Sequence, residues 1–369
     1  MMLVLGTRPQ IIKSAPLIDL AGKDKQINLE IIHTGQHYDY EMTKIFFEEL
    51  SLPDPTANLN VGSGTHAQQT AKIIQRLEKI FQTRKPDLIL VPGDTNSTLA
   101  GAITATKMHI PVAHMESGAR SYDMRMPEEI NRRLTDHCSS LLFTPTENCT
   151  ENLLREGVAK ERIHESGDTM YDALLQQLPR IEKNTITEKL DLKPKTYLLL
   201  TIHRPENVDN PENLKKILDA MIKLKNITIV FPAHPRTIKQ MQSFKLYTKL
   251  RRQKHVKIVE PVGYIENLSL INKAKAILTD SGGMQKEAFW LRTPCITLRE
   301  NTEWVETTRL KANQLVGSNT QKIIETAESI IRKEKTSKML KKLPNPFGDG
   351  KASQKIIDII KTCRISDLC

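Results

Sequence analysis

Long apolar runs, aromatic side chains and closely spaced cysteines are all scarce in this 369-residue chain, and each scarcity removes a class of function. No stretch approaches the roughly 20 apolar residues that span a bilayer, and no basic segment followed by an apolar core opens the chain. No membrane partner is therefore expected, and the expected location is cytoplasmic. Aromatic residues make up only 5% of the chain, too few to build a base-stacking surface. The lysines behind the formal charge of +11 are spread over helix faces, as at Lys215, Lys216, Lys223 and Lys225. That excess reads as solvated helix surface, or as attraction for an anionic small substrate, and no nucleic-acid partner is expected. The five cysteines, Cys138, Cys149, Cys295, Cys363 and Cys369, are odd in number with no close pairing. Neither a disulfide framework nor a zinc site follows from them.

What is present is a regular alternation of apolar strands and helical patterns, in a chain long enough for two domains. Residues 2–5 read as a buried strand that breaks at Gly6 and enters a helix with Pro9 in its first turn. Such a turn aims free N–H groups at whatever lies above the sheet, and Arg8 and Lys13 add formal charge there. Strands are expected at 29–33, 87–91, 111–115 and 141–144, with helices at 66–83 and 97–107. From 176 to 195 the pattern lapses into polar residues with Pro179 and Pro194, the expected domain boundary. A second series follows, with strands near 197–202, 227–231, 256–259, 276–278 and 295–298. Apolar strands separated by helices predict two doubly wound α/β domains with parallel sheets.

Chemistry-bearing residues fall at the ends of these strands. Asp94 follows the strand at 87–91, Glu116 follows the strand at 111–115, and Glu128 opens the next helix. Carboxylates gathered at one sheet edge raise one another's pKa, which suits groups that exchange protons. In the second half, His203 stands just past a strand, and Ser281-Gly282-Gly283 opens a helix whose N–H groups can hold a phosphate. Glu287, less than two turns on, could accept from a ribose diol, or could simply offset the helix dipole. Carboxylates on one domain and a phosphate site on the other, across a cleft, suit a nucleotide-bound sugar.

Seven segments in order resemble the non-hydrolysing UDP-N-acetylglucosamine 2-epimerases: Gly6-Thr-Arg-Pro-Gln-Ile-Ile-Lys13, His33-Thr-Gly-Gln-His37, Gly93-Asp-Thr95, His114-Met-Glu-Ser-Gly-Ala-Arg120, Pro127-Glu-Glu-Ile-Asn-Arg132, His203-Arg-Pro-Glu-Asn207 and Asp280-Ser-Gly-Gly-Met-Gln-Lys-Glu287. The resemblance implies two Rossmann-like domains facing a cleft in a glycosyltransferase-B-like fold. It implies a domain 1–175 carrying the carboxylates, a UDP-binding domain 176–350, and a C-terminal helix 351–369 packing back on the first. It further implies a homodimer that interconverts UDP-GlcNAc and UDP-ManNAc by eliminating UDP to a 2-acetamidoglucal and adding it back, with no cofactor and no metal. In those terms Asp94, Glu116 and Glu128 are the acid/base carboxylates, and His203 steadies the departing diphosphate. Arg8 and Lys13 contact the nucleotide sugar, Ser281, Gly282 and Gly283 the phosphates, and Glu287 the ribose.

Several positions depart from that family's pattern. Gln10 stands for a glutamate, Trp304 for an arginine facing the nucleotide, and Val262 and Asn267 for the uracil-contacting glutamine and phenylalanine. Residues 167–172 and 260–264 resemble a sister branch acting on UDP-2,3-diacetamido-2,3-dideoxyglucuronate, which is the alternative substrate. A hydrolysing epimerase releasing ManNAc and UDP is a further alternative. Gln36, Arg204 and His234 resemble parts of an allosteric second site, at which Asp39 replaces a glutamine.

Overall fold

A computed structural model describes residues 1–36, 40–332 and 339–364. His37, Tyr38, Asp39 and Cys369 lie outside the described residues. The chain divides into two compact units, one of Met1–Gln176 with Asn345–Cys369, the other of Gln177–Pro344.

The first unit holds seven strands: β1 (Met2–Leu5), β2 (Glu30–His33), β3 (Ala57–Asn58), β4 (Ile89–Pro92), β5 (Val112–Met115), β6 (Leu141–Thr144) and β7 (Ile163–Glu165). They form one parallel sheet in the order β3-β2-β1-β4-β5-β6-β7. Because side chains alternate across a strand, β1 sends Leu3 and Leu5 into one apolar layer and Met2 and Val4 into the other. Ile356 and Ile357 of the helix Ala352–Thr362 complete the first layer. Ile73, Leu77 and Phe81 of the helix His66–Arg84 complete the second. A parallel sheet covered on both faces must be apolar throughout, which is why these strands read as continuous runs.

The second unit repeats the architecture with β8 (Tyr197–Thr201), β9 (Thr228–Pro232), β10 (Val256–Val259), β11 (Ala276–Thr279), β12 (Cys295–Thr297) and β13 (Asn313–Leu315), all parallel, in the order β10-β9-β8-β11-β12-β13. In each sheet the strand order reverses beside the first strand, between β1 and β4 and between β8 and β11. The carboxyl ends at such a switch point leave a crevice where open α/β sheets take their ligands.

Two local features were not expected. The helix Thr169–Lys183 runs into the polar stretch and through Pro179 because Met170, Ala173, Leu174 and Ile181 keep a buried helical face. The boundary between units thus falls inside a helix. The edge strands β3, β7 and β13 were not expected, because two or three residues are too few to show a period.

Residues 167–172 act as a latch for the returning chain. Gly167 has φ +88°, and a Cβ there would meet the Phe347 carbonyl oxygen at 3.0 Å. Asp172 accepts from the backbone N–H groups of Ala352 at 3.1 Å and Ser353 at 2.7 Å, which satisfies the open first turn of the last helix. Asp172→Ala should cost about 1–2 kcal/mol in urea unfolding, as loss of a helix cap does, and Asp172→Asn should cost less. Equal losses in the two variants would show that the side-chain oxygens are not what holds this helix.

Candidate functional site

Three turns meet at the switch point of the first unit. After β1 the chain enters the helix Arg8–Lys23, whose cap Thr7 pairs with Gln10. Gln10 is buried and joins two turns: its Oε1 accepts from Gly6 N (2.9 Å) and Thr7 N (3.1 Å), while its Nε2 donates to the Pro92 carbonyl (2.8 Å). That brings Lys13 beneath the turn after β4, close enough that a Cβ on Gly93 would lie 3.0 Å from its Nζ. Lys13 Nζ forms an ion pair with Glu116 Oε2 at 2.9 Å, and both side chains are nearly buried. Glu116 has φ +67°, a left-handed conformation that costs energy for any residue with a Cβ and is often found at functional sites. Arg8, one turn earlier, lies over the Phe46 ring at 4.4 Å from its centroid.

Asp94, just past β4, is partly exposed and pairs with the guanidinium of Arg132. Arg132 lies on the helix Pro127–Cys138, which also carries half-buried Glu128. The two adjacent glutamates differ sharply. Glu129 is fully buried and accepts from Ser121 N (2.8 Å), Ser121 Oγ (2.9 Å), Arg132 (3.2 Å) and Arg133 (3.1 Å). Burial alone would push its carboxyl up, but the Ser121 N–H and the Arg132 charge hold it below the ordinary range. Gln36 accepts from Ser97 N (3.0 Å) and Ser97 Oγ (2.6 Å), so it caps the helix Asn96–Lys107 that follows Asp94.

A buried polar chain beneath these turns carried no separate signal in the sequence beyond the presence of its residues in the quoted segments. His114 Nδ1 lies 2.7 Å from Asp136 Oδ1, and its Nε2 lies 2.7 Å from the Gly93 carbonyl oxygen. Arg120 pairs with Asp136 at 2.7 Å and with Glu156 at 2.6 Å. Burial works to raise the Asp136 carboxyl, yet the His114 hydrogen bond and the charges of His114 and Arg120 hold it below the ordinary range. Gly118 permits this closure: its φ is +76°, and a Cβ would sit 2.3 Å from the Cys149 carbonyl oxygen.

In the second unit the residues past β8, β9 and β11 come together. Asp280 is fully buried, and it accepts from His203 N (3.1 Å), Arg204 N (3.0 Å) and Asn207 Nδ2 (3.1 Å). The His203 ring contacts the same carboxylate through Nδ1 at 3.1 Å while half its side-chain surface stays exposed. Burial pushes the Asp280 carboxyl up, but the bond and charge of His203 and the Arg204 N–H hold it below the ordinary range. His234 caps the helix Pro235–Ser243, accepting from Arg236 N at 3.2 Å. Burial first, then the charges of His203 and Arg236, hold its imidazole below the usual histidine range. Ser281 caps the helix Gly282–Trp290 through Met284 N at 3.4 Å, with Gly282 and Gly283 in its first turn and Glu287 buried further along. Trp304 is turned inward, with Lys286 Nζ 3.8 Å from its ring centroid and both residues buried. Arg204 lies 3.9 Å from Glu303.

The first unit therefore gathers Arg8, Lys13, Asp94 and Glu116 at one switch point, and the second gathers His203, Arg204, His234 and Ser281 at the other. Carboxylates on the one, held by Lys13 and Arg132, can move protons. Helix N–H groups and an exposed imidazole backed by a carboxylate on the other can hold an anion.

A family model described as UDP-N-acetylglucosamine 2-epimerase matches residues 21–361. The UDP-N-acetylglucosamine 2-epimerase of Methanocaldococcus jannaschii is 50% identical, over 97% of this chain and 98% of that protein. A crystal structure of the M. jannaschii enzyme in complex with UDP-GlcNAc and UDP superposes with a TM-score of 0.91 at 49% identity, covering 98% of this chain and 99% of that one. The UDP-2,3-diacetamido-2,3-dideoxy-D-glucuronate 2-epimerase of Pseudomonas aeruginosa is 40% identical over 97% of this chain and 98% of its own length.

Asp280 generates a pH prediction. Its folded-state pKa lies below the unfolded value of about 3.9, so its stabilisation is present above that pH and is lost as pH falls through the folded pKa. Asp280→Asn should cost about 2 kcal/mol at pH 7, where charge-assisted bonds are broken. The deficit should shrink in urea unfolding near pH 3.5, and a deficit unchanged by acid would refute the role given to the ionised carboxylate.

Proposed function

The chain belongs to the UDP-N-acetylglucosamine 2-epimerase family, and from that premise we propose that it interconverts UDP-GlcNAc and UDP-ManNAc without net hydrolysis. It is an isomerase. The observation that carries the reading is the nearly buried Lys13–Glu116 pair at the switch point of the first unit, with Glu116 held in a left-handed conformation.

In the proposed reaction a carboxylate removes the C2 proton, the C1–O bond breaks, and the electron pair leaves with UDP, giving a 2-acetamidoglucal. UDP then returns through its β-phosphate oxygen to C1 while a carboxyl group delivers a proton to the opposite face of C2. The C2 hydrogen is weakly acidic, so stabilising the departing diphosphate must do much of the work. On this reading Asp94, Glu116 and Glu128 exchange the protons, with Lys13 and Arg132 holding Glu116 and Asp94 in place. Arg8 meets the nucleotide sugar. His203, oriented by Asp280, faces the diphosphate, Ser281, Gly282 and Gly283 present N–H groups to its oxygens, and Glu287 serves the ribose. Arg204 and His234 lie beside that anion site, whereas Gln36 serves as a helix cap.

The diacetamido-uronate is the second reading, favoured by the 40% identity to the P. aeruginosa enzyme. The 50% identity to the M. jannaschii enzyme places UDP-GlcNAc first. A homodimer is part of the proposal. Ile130 and Leu134, one turn apart on the helix Pro127–Cys138, are 41% and 47% exposed, and Tyr122 and Met124 just before it are exposed as well. An apolar face of this kind fits a second copy of the chain.

Incubation with UDP-GlcNAc in D2O, followed by NMR, should yield UDP-ManNAc with deuterium at C2. Free ManNAc would assign hydrolysis instead, and turnover of only the diacetamido-uronate would assign the second reading. Glu116→Gln should abolish C2 exchange while leaving UDP affinity within about threefold, since it removes chemistry rather than binding; undiminished exchange would take Glu116 out of the reaction. Sedimentation should show a dimer that Leu134→Glu converts to monomer, and a monomeric parent protein would contradict the assembly.

A further inference from the structure

The two turns that bear Asp94 and Glu116 are tied to one buried side-chain pair. His114 is fully buried on β5, and its Nε2 meets the carbonyl of Gly93, the residue before Asp94, at 2.7 Å. Its Nδ1 meets Asp136 at 2.7 Å, and the other oxygen of that carboxylate accepts from the N–H of Gly118, two residues past Glu116, at 3.2 Å. With one contact at each ring nitrogen, the ring cannot rotate without losing one of them. Gly93 has φ +71° and its N–H is held by the Met115 carbonyl at 2.9 Å, so the position of the Asp94 turn is fixed from both sides.

We propose that His114, oriented by Asp136, is a positioning residue that sets the place of the Asp94 carboxylate relative to Glu116. It rests on the reading of those two acids as proton-exchanging groups, and it goes beyond that reading in assigning their spacing to a group buried beneath them. A displacement of an ångström between reacting groups can cost about 100-fold in rate.

Three variants separate the bonds. The amide of Gln reaches the place of Nε2, so His114→Gln can keep the bond to Gly93. Asn reaches only the place of Nδ1, so His114→Asn keeps Asp136 and loses Gly93, and His114→Phe loses both. Each is read by melting temperature, by UDP affinity in calorimetry, and by kcat and KM on whichever of the two UDP-sugars the parent protein epimerises. The expected result is kcat within about threefold of the parent for Gln and about 100-fold lower for Asn and Phe, with KM and UDP affinity held within about threefold throughout. The proposal is overturned if Gln is no better than Asn or Phe, if a folded Asn or Phe variant keeps its kcat, or if KM and UDP affinity deteriorate together with kcat. Should neither Asn nor Phe fold, Gln decides: a kcat more than about tenfold below the parent overturns the proposal. A parent protein that epimerises neither sugar would remove the functional reading, and this assignment with it, a result that the variants cannot mimic.

Discussion

The ion pair between Lys13 and Glu116 is the interaction on which the first unit's site depends. A carboxylate and an ammonium taken almost wholly out of water lose their hydration, and only close contact and fixed surroundings offset that loss. Three turns supply those surroundings. The turn after β1 starts the helix that carries Lys13, the turn after β4 has a glycine where a side chain would crowd the ammonium, and the turn after β5 bends Glu116 into a left-handed backbone to reach it. Gln10 pins the first two turns together by accepting from Gly6 and Thr7 and donating to Pro92. An ionised glutamate would offer only acceptors there and would face the Pro92 carbonyl with like polarity. The amide at this position therefore has a structural reason within this chain.

The second unit solves a different problem with a similar device. Asp280 is buried and ionised, and it collects the N–H groups of His203 and Arg204, the Asn207 amide and the His203 ring. Its charge gives the half-exposed imidazole one fixed orientation, with Nε2 as the end turned away from the carboxylate. A carboxylate behind a histidine fixes the ring's orientation, which suits a group that meets a phosphate. Neither half requires residues at unusual depth in the sequence. Both use the first residues after parallel strands, where the sheet leaves backbone and side chains uncommitted.

Most of the architecture was legible because buried parallel strands are apolar throughout and their helices are amphipathic, so β1, β2, β4, β5, β6 and β8 to β12 stood out. What was not legible was short or local. β3 and β13 have two and three residues and no period to detect, and the helix through Pro179 is held by buried residues against its own proline. At the site, the acids and His203 could be picked out because they follow strands. The supports could not: His114, Asp136, Arg120 and Glu129 act through contacts between turns 8 to 36 residues apart, and nothing in their own neighbourhood distinguishes Glu129 from Glu128. Trp304 shows the converse, an expected nucleotide-facing position that packs inward against Lys286.

The central claim is that inversion at C2 proceeds through breakage of the bond between C1 and the diphosphate. UDP-GlcNAc labelled with 18O in the bridge between C1 and the β-phosphorus tests it, because a freed β-phosphate can rotate before it returns. The account predicts that label leaves the bridge for non-bridging β-phosphate oxygens, seen in the 31P spectrum of substrate recovered during turnover. Epimer formed with the label still wholly in the bridge would contradict it.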